Sequence, residues 1–156
     1  TTEVLASLKK MRVEEGENLQ KDLAQRIDAI ENHAAEIESR HPEVIKEYQE
    51  KLNERIKTLN EGLDLDKTRL AQEAALLADR SDVTEEMTRL KSHLNQFRNF
   101  FNANEPIGRK LEFITQEINR EVNTTGSKSN DIIISNRVIE MKSELEKIRE
   151  QVQNIE

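Results

Sequence analysis

The chain contains no cysteine and no tryptophan, and its 156 residues include one tyrosine, four phenylalanines, four glycines and two prolines. Without cysteine there is no disulfide, no zinc–thiolate centre and no thiol nucleophile, which suits a reducing cytoplasm. With aromatics at 3% and little turn-forming Gly or Pro, a β-sandwich or barrel is excluded as a fold class. No run of 18 apolar residues is present, so no transmembrane span is expected, and no signal peptide opens the chain. What remains is rich in charge, 35% Asp, Glu, Lys and Arg. That is the profile of long helices packed through aliphatic seams, and the expected class is all-α.

Net charge is −7, which at first sight opposes a polyanionic partner. The distribution is uneven. Residues 1–66 hold 10 Lys/Arg against 16 Asp/Glu, whereas residues 67–156 hold 14 against 15. Local fields govern phosphate contact more than totals do, so the second stretch is the better candidate to meet a nucleic acid.

Apolar spacing of three and four residues predicts about six helices. The first starts at Val4, Leu5, Leu8 and Met11, continues through Leu19, Leu23, Ile27, Ile30 and Ile37, and ends near Ser39. Gly16 inside it implies close approach of another backbone. His41-Pro42 breaks the pattern, because proline is hostile beyond a first helical turn. A second helix with Ile45, Tyr48, Leu52, Ile56, Leu59 and Leu63 then returns along the first as a long antiparallel hairpin, about residues 3–63. His33 and His41 read as surface histidines. A smaller helical cluster follows over about 66–128. In it, Asp82 and Glu85 have capping-box spacing. One helix buries Met87, Leu90, Leu94, Phe97 and Phe101, and the next buries Leu111, Ile114, Ile118 and Val122, with Gly126 as its left-handed cap. Asn130 or Asp131 caps a last helix over about 131–155, whose seam from Ile134 to Ile155 has coiled-coil spacing and needs a partner.

Three stretches carry a further signal. Met11–Leu23 reads M-R-V-E-E-G-E-N-L-Q-K-D-L, Glu73–Lys128 holds the chemically richest helix faces, and Glu146–Glu156 reads E-K-I-R-E-Q-V-Q-N-I-E. Together these resemble the YicC family of bacterial endoribonucleases, in its C-terminal helical part. The family's N-terminal domain normally opens Met-Thr-Gly-Phe-Gly. None of that is present and the chain begins at Thr1, so the expectation is the C-terminal part of a longer protein. The resemblance implies metal-dependent cleavage of cytoplasmic RNA, contact with the protein's own N-terminal domain, and a homo-oligomer, specifically a hexamer.

Without cysteine, RNA hydrolysis needs a His/Lys acid–base pair or carboxylates holding a divalent ion, Mn²⁺ or Mg²⁺. Glu117 and Glu121, four apart, share one helix face with Arg120, and Glu86, Arg89 and His93 share another. The two faces are expected to converge, with Glu117, Glu121, Glu86 and His93 as metal ligands, or Glu73, Asp79 and Asp82 as alternatives. In that arrangement His93 ligates the ion or shuttles a proton, and Arg89 and Arg120 clamp the phosphate. Exposed Glu pairs are also ordinary on helices, and Asp82 reads as a cap before it reads as a ligand. Arg80, Lys91, Arg98, Arg109, Lys110 and Lys128 are candidate phosphate contacts. Gln116, Asn119 and Asn123 are non-titrating hydrogen-bonders on one helix, fitted to RNA bases and sugars or to the loop that follows. An RNA-binding adaptor for another ribonuclease and a helical oligomerisation scaffold are the alternatives that leave out catalysis.

Overall fold

A computed structural model describes residues 1–59, 66–103 and 105–155, and within them the chain forms five helices and no strand. These are α1 (Thr2–Leu59), α2 (Asp66–Arg80), α3 (Thr84–Phe100), α4 (Gly108–Lys128) and α5 (Ile132–Gln153). The all-α class holds, with one fewer helix than the spacing predicts.

The missing break is at Pro42. Instead of turning there, α1 runs straight through for 58 residues, about 87 Å at 1.5 Å per residue. An interior proline removes one helical hydrogen bond and costs about 3 kcal/mol. Here the residues around it are tied down from several sides. Arg40 grips both carboxylate oxygens of Asp131 at 3.2 and 3.0 Å, and reaches across the proline to Glu43 at 3.2 Å and Glu47 at 2.9 Å. His41 Nε2 lies 2.7 Å from the Ser81 carbonyl. The helix is therefore stapled across its weakest point. His41 is half-buried and structural, and so is His33, whose Nε2 meets Glu140 at 3.3 Å.

The expected pairing of Leu19–Ile37 with Ile45–Leu59 is consequently wrong. Leu23, Ile27, Ile30, Ala34 and Ile37 are fully buried against α3 and α5. Antiparallel α5 is tied along this part of α1 by Asp22–Gln151 (2.6 Å), Arg26–Glu144 (2.9 Å) and Arg40–Asp131. Lys91–Glu38 (2.8 Å) and Arg98–Glu31 (2.7 Å) set α3 antiparallel on its other side. Opposite α1, α4 closes an up-down-up-down four-helix bundle by packing on both α3 and α5. A shorter hairpin does form, between the upper end of α1 and α2, with Leu52 and Ile56 only half-buried. Gly62 and Leu63 lie outside the described residues.

The α5 seam finds its partner inside the chain: Ile134, Val138, Met141, Leu145, Ile148 and Val152 are all buried. Asp131 caps it, accepting from Ile134 N at 3.1 Å. The N-cap of α3 is Val83, not Asp82: Asp82 sits one residue earlier and accepts from the Thr84 N–H at 3.0 Å, while Glu85 pairs with Arg89 instead of completing a capping box. By contrast, the first seventeen residues of α1, Thr2 to Asn18, are all exposed, including Val4, Leu5, Leu8 and Met11.

Two glycine expectations fail for opposite reasons. Nothing among the described residues lies within 4 Å of a Cβ built at Gly16. Gly126 does not end α4 but sits inside it, where a Cβ would lie 3.0 Å from Val138 Cγ1. Small size there brings α4 onto α5. Gly126→Val is expected to lower stability by about 1–3 kcal/mol through overpacking. Gly16→Ala, open on all sides, is expected to raise it by up to about 1 kcal/mol. Urea melts of the two variants check both signs.

Candidate active site

On α3, three- and four-residue steps place Glu86, Arg89 and His93 along one flank, and the antiparallel register sets α4's Lys128 and Glu121 opposite the first two. Arg89 Nε donates to Glu121 Oε1 at 3.0 Å, and Nη2 lies 3.7 Å from Glu86 Oε1. Lys128 Nζ donates to the same Glu86 oxygen at 2.6 Å and to the Asp82 carbonyl at 3.2 Å. Two carboxylates and two cations thus form one chain between the helices. Glu86 is 2% exposed and Glu121 5%, whereas Arg89 keeps a face open to solvent.

Burial alone would push the Glu86 carboxyl up. The Lys128 hydrogen bond, helped by the charges of Lys128 and Arg89, more than reverses this and holds it below the usual range. Asp131 is lowered chiefly by Arg40, Asp82 by Thr84, and Asp22 by Gln151. A depressed carboxyl contributes stability above its unfolded pKa, and that contribution is lost as pH falls through the folded value. Unfolding free energy is therefore expected to drop below about pH 4. Urea melts between about pH 6 and about pH 2 measure this, and a flat profile would mean that these pairs contribute nothing.

Three polar atoms here are buried without a hydrogen-bond partner: Glu86 Oε2, Glu121 Oε2 and His93 Nδ1. Such atoms cost free energy unless something outside the fold meets them.

The predicted convergence is partial. Glu86, Arg89 and Glu121 meet, while Arg120 is exposed and Glu117 half-buried. Among the described residues no three His, Asp or Glu side chains gather at metal-binding spacing. Glu73 and Asp79 are exposed on α2, and the Asp82 carboxylate is taken up by the N–H and hydroxyl of Thr84. Most of the candidate phosphate contacts are already paired: Lys91 with Glu38, Arg98 with Asp28 and Glu31, Lys110 with Glu105, and Lys128 with Glu86. Arg80, Arg109 and Asn123 are exposed. Gln116 and Asn119 belong elsewhere, lining a cavity toward α5 with Lys142 and Arg149. Those two cations were hidden from a reading of α5 as a seam; their spacing of seven, one helix face, was the available signal.

Residues 37–156, which include α3, α4 and this network, match the family described as Endoribonuclease YicC-like, C-terminal. The chain belongs to the YicC-like endoribonuclease family. It is 52% identical over 155 residues to the "Probable endoribonuclease YicC" of Clostridioides difficile (strain 630), covering 99% of this chain and 53% of that protein. It is 40% identical over 146 residues to the protein of the same name in Haemophilus influenzae, covering 94% of this chain and 50% of that one. The chain thus spans about half the length of the curated relatives it matches. In YicC-like terms the bundle is the C-terminal region, and the family match begins at Ile37, inside α1. Among the described residues no helix is long and apolar enough to cross a membrane.

Proposed function

We propose that this chain is the C-terminal part of an endoribonuclease that hydrolyses phosphodiester bonds in cytoplasmic RNA, with the α3–α4 groove as its reacting site. The observation that carries the proposal is the set of buried atoms without partners, Glu121 Oε2, Glu86 Oε2 and His93 Nδ1, around a guanidinium with an open face. Glu121 takes a proton from water as its oxygen attacks phosphorus. The bond to the leaving sugar oxygen breaks, and His93 supplies that oxygen with a proton. Arg89 offsets the charge that builds on the phosphoryl oxygens. Glu86 positions Arg89 and Lys128.

The Mn²⁺ or Mg²⁺ that the family resemblance implies does not fit the described residues alone. Glu86 and Glu121 are each neutralised by a cation, and no third donor stands beside them. A bound ion would need donors from a further copy or from the rest of a longer protein, and no step is assigned to it.

The uncovered α1 stripe of Val4, Leu5, Leu8 and Met11 favours a second reading, an oligomerisation scaffold or an adaptor that guides another nuclease. Labelled RNA incubated with the intact protein, with and without Mn²⁺ and with a chelator, separates the readings. Shortened product that requires the protein supports hydrolysis. Retention of intact RNA points to the adaptor, and no RNA binding to the scaffold.

A further inference from the structure

The far flank of α4 turns toward α5 and forms with it an open surface pocket of about 240 Å³. Its lining brings Gln116 and Asn119 of α4 together with Lys142 and Arg149 of α5, over apolar Leu145 and Val152. We propose that this cavity is a subsite for one nucleoside phosphate, either free or as a single unstacked unit of RNA.

At about 240 Å³ the pocket lies just below the usual small-ligand range of about 300–1,000 Å³, enough for one nucleotide partly open to solvent and far too small for a duplex. The floor supplies apolar contact for one face of a base. An amide places a donor beside an acceptor, the arrangement that pairs bidentately with a base edge such as adenine N6 and N7. Two amides three residues apart on α4 present such an edge to the same cavity. Lys142 and Arg149 stand two turns apart, about 10 Å along α5, and flank the site where a phosphate would emerge. Their situation differs from that of Lys91, Arg98, Lys110 and Lys128. Those cations are held by carboxylates at 2.6–2.8 Å, whereas Arg149 meets Glu146 only at 3.9 Å and Lys142 has no ion pair among the described residues. Glu112 and Glu146 also line the cavity and balance the two cations. The pocket therefore selects by shape and base edge more than by charge, and a bare phosphate should bind poorly. Thr115 contributes no hydroxyl proton, because it donates to the Leu111 carbonyl at 2.6 Å.

The site lies on the opposite flank of α4 from Glu121, and it stands whether or not the α3–α4 groove cleaves RNA. Equilibrium dialysis of the intact protein against AMP, GMP, CMP, UMP, inorganic phosphate and a short single-stranded oligonucleotide tests it. Saturable mononucleotide binding is expected, with inorganic phosphate at least about 10-fold weaker. Lys142→Ala and Arg149→Ala are each expected to weaken nucleotide binding about 10-fold. Gln116→Ala and Asn119→Ala should compress the differences among the four bases. The thermal melts of all four variants should match the parent, since the side chains are at the surface. If only the oligonucleotide binds, with the same sensitivity to these substitutions, the natural ligand is RNA rather than a free nucleotide. No saturable binding of any nucleotide or oligonucleotide, or binding indifferent to all four substitutions, overturns the proposal. Cleavage that persists unchanged in such variants would leave the enzymatic reading standing while this one falls.

Discussion

Glu121→Gln in the intact protein is expected to reduce RNA cleavage by about 10²–10⁴-fold, the range a positioned acid–base group contributes. The substitution keeps the size of the side chain and still accepts from Arg89 at the oxygen now 3.0 Å away, so the α3–α4 contact should survive. Initial rates on a labelled RNA, set beside urea melts of the same preparation, read the two effects separately. A structural clasp would lose stability and keep its rate. A reacting carboxylate would lose rate with little change in stability. Glu117→Gln is the companion variant: half-buried and outside the Arg89 network, it should change the rate far less. If neither substitution slows cleavage, the chemistry belongs near Glu73, Asp79 and Asp82, or on the rest of a longer protein.

Phe97→Ala should produce the largest loss of stability, about 3–5 kcal/mol. Phe97 is fully buried in the bundle core, and its ring meets Phe101 edge-on, with centroids 5.4 Å apart and planes at 70°. Alanine removes the apolar area and the aromatic contact and leaves a void that four straight helices cannot readily close. Domains are stable by only about 5–15 kcal/mol in total, so the variant should be close to unfolding at physiological temperature. Urea denaturation gives the number. A loss below about 1 kcal/mol would mean that the helices shift to fill the space.

Pro42 shows where a local rule was outweighed. The apolar stripe keeps its helical phase across the proline, through Ile37, His41, Ile45, Tyr48, Leu52 and Ile56 at steps of four, four, three, four and four. That continuity was legible evidence for one unbroken helix. The chemistry of the residue pointed the other way, and only the ties of Arg40 and His41 to α5 and the α2–α3 connection let the stripe prevail. Gly126 is a similar case. Near a helix end its sequence context reads as a cap, but the close approach of Val138 from α5 favours a glycine there for a different reason.

The candidate site was half legible. Spacing placed Glu86, Arg89 and His93 on one face of α3, and Glu117 and Glu121 on one face of α4, because helical geometry alone decides which residues share a face. It could not divide the polar surface of α4 between two neighbours. Packing turned Glu121 and Lys128 toward α3 and Gln116 and Asn119 toward α5, which separated a group of residues that read as continuous along the chain. Nor could spacing foresee that Lys128 neutralises Glu86, since that pair is 42 residues apart.

Periodicity and composition, which are local properties, determined on their own the all-α class and the buried faces of α3, α4 and α5; the motif resemblance pointed to the family, and the α5 cap was narrowed to Asn130 or Asp131. Tertiary structure alone decided which stripe met which. It joined Leu23–Ile37 to α5 and α3, left Val4–Met11 uncovered, and carried α1 through its proline. Partner choice depends on register and loop geometry summed over the whole bundle, and no window of sequence contains that sum.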